Sequence, residues 1–229
     1  MKYRYLLVDN DNTLMDFNLA EKYALEETLV NAGLPVDNDT VSAYHRINDA
    51  LWKALERGET TQAELKVERF AQLLEYLTLP RDTAAELGAA YAENLGNHAD
   101  LLPGAMNFIE NMHGEVKIAL VSNGISRIQR HRLSLCPFTP LLDAIVISEE
   151  IGVSKPDPAM IDKALEMLGC TDKREAVMLG DSHSADIGAA VNAGVDSIWL
   201  NPDGKVSDKA TYSVKTLEEA AAIIGGQHQ

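Results

Sequence analysis

Residues 3–16 read YRYLLVDNDNTLMD. A short apolar run stops at once in Asp9 and Asp11, spaced two apart, with Thr13 behind them. A brief aliphatic stretch bounded by polar residues reads as a buried strand and the loop at its carboxyl end. Two carboxylates held close repel each other, which costs free energy unless something cationic sits beside them. As plain turn formers they would need no such partner. The rest of the chain decides between these readings.

The same signature recurs from residue 116 onward. VKIALVS (116–122) leads into Ser122-Asn123-Gly124, DAIVIS (143–148) precedes Lys155 in GVSKPDP, and AVMLGD (176–181) ends in Gly180-Asp181, with Asp186 close behind. VDSIWL (195–200) is a further strand. Between and after these runs, GISRIQRHRLSL, PAMIDKALEMLG, SADIGAAVNAG and TLEEAAAIIGG read as helices, Gly124 opening the first of them. Strands alternating with helices imply βαβ units and a parallel sheet covered on both faces. Right-handed crossovers then give a Rossmann-like, doubly wound α/β core. From Asn18 to His98 no strand pattern is found. Four amphipathic stretches fill that span, the first stopped by Gly33 and Pro35 and the second running from an N-cap at Asp39 or Thr40 to Gly58. The expected organisation is a core of residues 1–15 and 100–229 with an α-helical domain inserted at 16–99.

Composition narrows the function. A net charge of -15 over 229 residues argues against nucleic-acid polymers and anionic membrane surfaces. No stretch approaches the ~20 apolar residues of a membrane span. The apolar run in MKYRYLLVDNDN is too short for a signal peptide. Cys136 and Cys170 read as free thiols, and the expected compartment is cytoplasmic.

In a parallel open sheet, ligands bind beyond the carboxyl ends of the strands. The polar residues collect there. Asp9 and Asp181 offer hard oxygen ligands that suit magnesium (Mg2+). Ser122 offers a hydroxyl, Gly124 helix-terminal amides and Lys155 a point charge, together a cradle for a phosphoryl group. A carboxylate in that cradle can attack phosphorus and form an aspartyl-phosphate. A second carboxylate two residues on can protonate the leaving alcohol and later take a proton from water. Taken singly, each segment also reads as a turn, a helix cap or a solvated loop. Their occurrence in order at successive strand ends favours the site.

The segments LLVDNDNTL, ALVSNG, GVSKPDP and LGDSHSADI resemble, in order, the four motifs of the haloacid dehalogenase superfamily of phosphohydrolases. The resemblance spans essentially the whole chain. It implies Asp9 as nucleophile and Asp11 as general acid/base. It implies Mg2+ held by Asp9, Asp181 and the backbone carbonyl of Asp11. It implies phosphate binding by Ser122, Lys155 and Asn123, and an outer role for Asp186 in orienting metal waters or Lys155. The helical insert matches the position and size of the superfamily's cap domain. Dehalogenases of the superfamily lack the second aspartate, so Asp11 speaks for phosphoryl transfer.

Finer likeness, through YHRINDALWKALERGETTQAELKVERF and GDSHSADIGAAVNAGVDSIWLNP, is to bacterial 5′-nucleotidases acting on pyrimidine and non-standard nucleoside monophosphates. The expected substrate is a small phosphorylated metabolite, a nucleoside monophosphate, for a monomer or homodimer. In the cap, Trp52 and Tyr44 could stack on a base and Asn48 bond its edge, or Trp52 could pack the helix interface. Phe17 could line the entrance or pack at the hinge. His183 reads as a solvated helix start. A sugar phosphomutase or sugar-phosphate phosphatase of the same fold, and a non-catalytic phosphate-binding module, are the alternatives.

Overall fold

The structure is a computed structural model, and it describes residues 1–226. In chain order its elements are β1 (Tyr5–Val8), α1 (Phe17–Asn31), α2 (Asn38–Glu56), α3 (Gln62–Tyr76), α4 (Ala84–Gly96), α5 (Ala105–Met112), β2 (Lys117–Ser122), α6 (Ser126–Leu135), β3 (Ala144–Ile147), α7 (Ser148–Ile151), α8 (Ala159–Leu168), β4 (Ala176–Gly180), α9 (Gly188–Ala193), β5 (Asp196–Leu200), β6 (Tyr212–Val214) and α10 (Leu217–Gly225). The six strands form one sheet in the order β3-β2-β1-β4-β5-β6, and every pairing is parallel. This is the Rossmann-like, doubly wound α/β layout that the alternation predicts.

The strand sequences explain why both faces are covered. Side chains alternate across a strand. Leu6 and Val8, Ile118 and Leu120, and Val177 and Leu179 point to one side, where α5 and α10 add Phe108, Ile109, Ile223 and Ile224. Leu7, Ala119, Val121 and Met178 point to the other, where α8 and α9 add Met160, Ile161, Ala189 and Ala190. A strand buried on both faces has no polar position to spare, so polar residues wait until the strand ends.

The chain divides into two compact units, Met1–Phe17 with the chain from Ala99 onward, and Asn18–His98. In the first unit the incoming and returning chain are tied by hydrogen bonds from the Asp16 amide to the Asp100 carbonyl (2.9 Å) and from the Leu102 amide to the Leu14 carbonyl (2.9 Å). The second unit is α2, α3 and α4 with most of α1. Its centre is an aromatic triad: Tyr44, Phe70 and Tyr91 have ring centroids 5.5–5.8 Å apart.

Five local expectations change. Asp37, rather than Asp39 or Thr40, caps α2, its carboxylate accepting the Thr40 amide at 2.8 Å. That places the cap three residues ahead of Thr40, the first buried position of the helix. Gly124 does not open α6, which begins at Ser126. Helix α5, strand β6 and the single turn of α7 (Ser148–Ile151) lie outside the sequence reading. The first is a single amphipathic stretch of eight residues. The second is three residues long, too short for alternation to register.

Candidate active site

The strand order reverses direction between β1 and β4, and this switch point is where an open α/β sheet binds ligands. Asp9 follows β1 there, its amide bonded to the Leu179 carbonyl of β4 (2.9 Å). Asp181 follows β4. Thr13 links the two loops. Its hydroxyl lies 3.5 Å from Asp9 Oδ2 and accepts the Asp181 amide at 3.1 Å. The turn that returns Thr13 to the sheet runs through Asn12 at φ 57°, a left-handed conformation that asparagine tolerates well.

Lys155 lies at the centre and is 1 % exposed. Its ammonium donates to Asp9 Oδ1 (2.6 Å), Asp186 Oδ1 (2.7 Å) and the Val121 carbonyl (2.7 Å). That occupies all three of its donors. Asp186 is oriented in turn by the Ser182 amide, which donates to its Oδ2 at 2.9 Å. Asn123 clasps the Lys155 backbone, donating from Nδ2 to its carbonyl (2.8 Å) and accepting its amide at Oδ1 (2.7 Å). This side-chain task is one the sequence reading did not anticipate. Gly180 is required by close approach, since a Cβ there would lie 2.2 Å from Asp186 Oδ2.

The electrostatics follow from this packing. One ligand oxygen from each of Asp9, Asp181 and Asp186 can be chosen so that all lie within 4.8 Å of one another. Three carboxylates share one ammonium, which leaves two negative charges when all are ionised. Burial first, then the Asp186 charge, raises Asp9 well above the usual carboxylate range, against the pull of Lys155. The same causes push Asp181 up to about 7. Burial disfavours the Lys155 charge, but Asp186 and Asp9 outweigh it and raise its pKa. The cluster as it stands lacks positive charge.

Ser122 is buried at the end of β2, and its hydroxyl accepts the Gly124 amide at 3.0 Å. The Gly124 amide therefore serves the turn. Glycine is needed here for another reason: a Cβ would meet the Gln129 side chain at 2.3 Å. Asp11 is held by two side chains absent from the sequence reading. Gln129 Nε2 donates to its Oδ2 at 2.5 Å, and Arg132 Nη1 donates to its Oδ1.

Residues 6–200 match the profile of the haloacid dehalogenase-like hydrolases. The chain belongs to the haloacid dehalogenase-like hydrolase family. Among its curated relatives, a protein named as a HAD-hydrolase, YfnB of Bacillus subtilis, is 33% identical over 97% of this chain and 96% of the relative. The pyrimidine 5′-nucleotidase PynA of Streptococcus pneumoniae is 31% identical over 96% and 94%. The pyrimidine 5′-nucleotidase YjjG of Escherichia coli is 29% identical over 98% and 99%. The crystal structure of YfnB, described as bound to magnesium and as revealing interdomain movement, superposes with a TM-score of 0.92 over 98% of this chain. This haloacid dehalogenase-like chain is accordingly a hydrolase of the phosphatase kind. No helix among its described residues is long and apolar enough to cross a membrane.

The remaining expected residues fall as follows. Phe17 belongs to the sheet-bearing unit, its ring 5.8 Å from the Arg132 guanidinium. Asn48 is buried in the helical unit and donates to Glu21 Oε1 at 2.9 Å. Trp52 is half-buried in the same unit. Tyr44 is fully buried in the aromatic triad, which leaves it no face for a base. His183 is not simply solvated: its Nε2 lies 2.8 Å from Ser207 Oγ and its ring packs edge-on against Trp199. Trp199 in turn donates to the Asp181 carbonyl at 2.8 Å, bracing the loop that carries Asp181.

Proposed function

We propose that the protein is a Mg2+-dependent phosphomonoester hydrolase, acting on nucleoside 5′-monophosphates through an aspartyl-phosphate on Asp9. The observation that carries this is the cluster of Asp9, Asp181 and Asp186 around one buried lysine, short of positive charge by about one divalent cation. Oxygen-only donors of this kind suit Mg2+. Asp9, Asp181 and the backbone carbonyl of Asp11 would hold it. Both oxygens of Asp186 already have partners, so its part is to orient Lys155. Bound there, the ion would supply positive charge where the phosphoryl oxygens gather negative charge.

The chain's own residues do the rest. An Asp9 oxygen attacks phosphorus as the bond to the ester oxygen breaks, and Asp11 gives its proton to the departing alkoxide. Water then attacks the aspartyl-phosphate, Asp11 takes a proton from it, and the bond to Asp9 breaks to release phosphate. Ser122 keeps its hydroxyl proton for a phosphoryl oxygen, and Lys155 acts as a fixed point charge beside it. Residues 16–99 serve as the cap, with Asn48, Trp52 and Phe17 the candidates for contact with the nucleoside. That two of the relatives are named pyrimidine 5′-nucleotidases supports a nucleotide as the substrate.

The test is phosphate release from a panel of nucleoside monophosphates and sugar phosphates, with magnesium and with chelator. Release that needs the metal and ranks pyrimidine nucleotides first supports the proposal. Release from sugar phosphates alone removes the nucleotidase reading.

A further inference from the structure

Asp11 is gripped by a helix that carries no motif residue of the site. Gln129 and Arg132 lie three apart in α6, which puts them on one face of the helix. Gln129 is 2 % exposed and Arg132 is 0 % exposed. Each donates to a different oxygen of the Asp11 carboxylate. The direction of the Gln129 amide is fixed from behind, because Asn10 Nδ2 donates to its Oε1 at 2.7 Å. A carboxylate accepts only, so Nε2 has to face Asp11. Gly124 leaves the space that the Gln129 side chain fills. The Phe17 ring lies near the guanidinium, 5.8 Å away.

A wholly buried arginine is costly unless its charge meets a well-placed acceptor. The acceptor here is a side chain still 24% open to solvent. An acid that had only to be neutralised would need neither a second donor nor a backing amide. We propose that Arg132 and Gln129 are positioning residues that set the carboxylate of Asp11 for proton transfer to the leaving group. This rests on the reading of Asp11 as general acid/base. The chain Asn10 to Gln129 to Asp11, with Arg132 on the other oxygen, fixes the carboxylate from two directions. Misplacement by about 1 Å is enough to cost ~10²-fold in such a step.

The test compares two substrates that differ in their need for a proton. Uridine 5′-monophosphate loses a basic alkoxide, whereas p-nitrophenyl phosphate loses a phenolate that departs unprotonated. Arg132→Met, Arg132→Lys, Gln129→Met and Asp11→Asn are assayed with each, and each variant's melting temperature is recorded. The expected result for Gln129→Met and Arg132→Met is a kcat/KM on the nucleotide, which covers the steps up to leaving-group departure, lower by ~10- to 100-fold, and a kcat/KM on p-nitrophenyl phosphate within about 3-fold of wild type. Arg132→Lys keeps the charge and one donor, so it recovers part of the loss. Gln129→Met is a neutral exchange and carries the test if the Arg132 variants do not fold. Equal losses of kcat/KM on both substrates, or no loss on either while Asp11→Asn still separates them, overturn the positioning role alone. Failure of Asp11→Asn itself to separate the two substrates removes the acid/base reading, and the inference with it.

Discussion

Three cations are buried among the described residues, and two of them, one in each unit, are treated differently. Lys155 in the sheet-bearing unit has all three donors on acceptors, two of them carboxylates. Arg69 in the helical unit is 2 % exposed and lies over aromatic faces, 4.3 Å from the Tyr91 centroid and 5.6 Å from that of Phe70. Its Nε and Nη2 have no hydrogen-bond partner, and neither do the Tyr44 and Tyr91 hydroxyls. Burial first, helped by the Glu21 charge, drives the Tyr44 pKa up to about 12, against the pull of Arg69. A charge matched by opposite charges belongs to a site whose electrostatics are set in advance. A charge laid on π faces belongs to packing. Removing the two cations should therefore give different outcomes.

The largest effect is expected at the carboxylate that Lys155 holds. Asp9→Asn should cut turnover by at least ~10³-fold with the fold intact, checked by phosphate release and circular dichroism. Loss of structure instead would make Asp9 a stability residue and blur the contrast between units.

Lys155→Met leaves Asp9 and Asp186 buried without their shared cation. We expect a stability loss of about 3–5 kcal/mol in denaturant unfolding, with activity lost as well. Arg69→Met makes the same chemical change where no carboxylate is bonded to the cation. There the lost cation–π contact, ~0.5–2 kcal/mol, is offset by relief of an incompletely partnered charge, and stability should move by no more than about 1 kcal/mol. Equal losses in the two variants would break the comparison.

The smallest effect concerns His45, whose Nδ1 lies 3.1 Å from Glu21 Oε2 in the helical unit. The hydrogen bond to Glu21 raises the His45 pKa, against a smaller opposing effect of burial. A raised folded value means that its stabilisation is complete below the unfolded value of about 6.5 and fades as pH rises through the folded one. His45→Gln should then lower the urea midpoint slightly at pH 5.5 and leave it unchanged at pH 9. The His45 side chain is 43% exposed, so solvent screens the pair and the difference stays small.

How much of this was open to the sequence depends on range. The strands were legible because runs such as LLV and IALV are buried on both faces, and the polar residues at their ends marked the switch point. The pairing of Lys155 with Asp186 was only half legible: both residues stood out, but nothing local says which atoms meet across 31 positions. Gln129 and Arg132 were missed because GISRIQRHRLSL reads as an ordinary polar helix. The available signal was their spacing of three, which places an arginine and a glutamine on one face together with buried Ile128 and Leu133 nearby. The need for Gly124 and Gly180 was visible as motif, yet the reason, room for Gln129 and Asp186, exists only in three dimensions.

In the proposed reaction the phosphoryl group passes through Asp9. A single-turnover rapid-quench experiment with a 32P-labelled nucleoside monophosphate in the presence of magnesium addresses it directly. Transient label is expected on the wild-type protein, mapped to Asp9, and none on Asp9→Asn. Phosphate release at full rate with no protein-bound label, or label retained by Asp9→Asn, would contradict it.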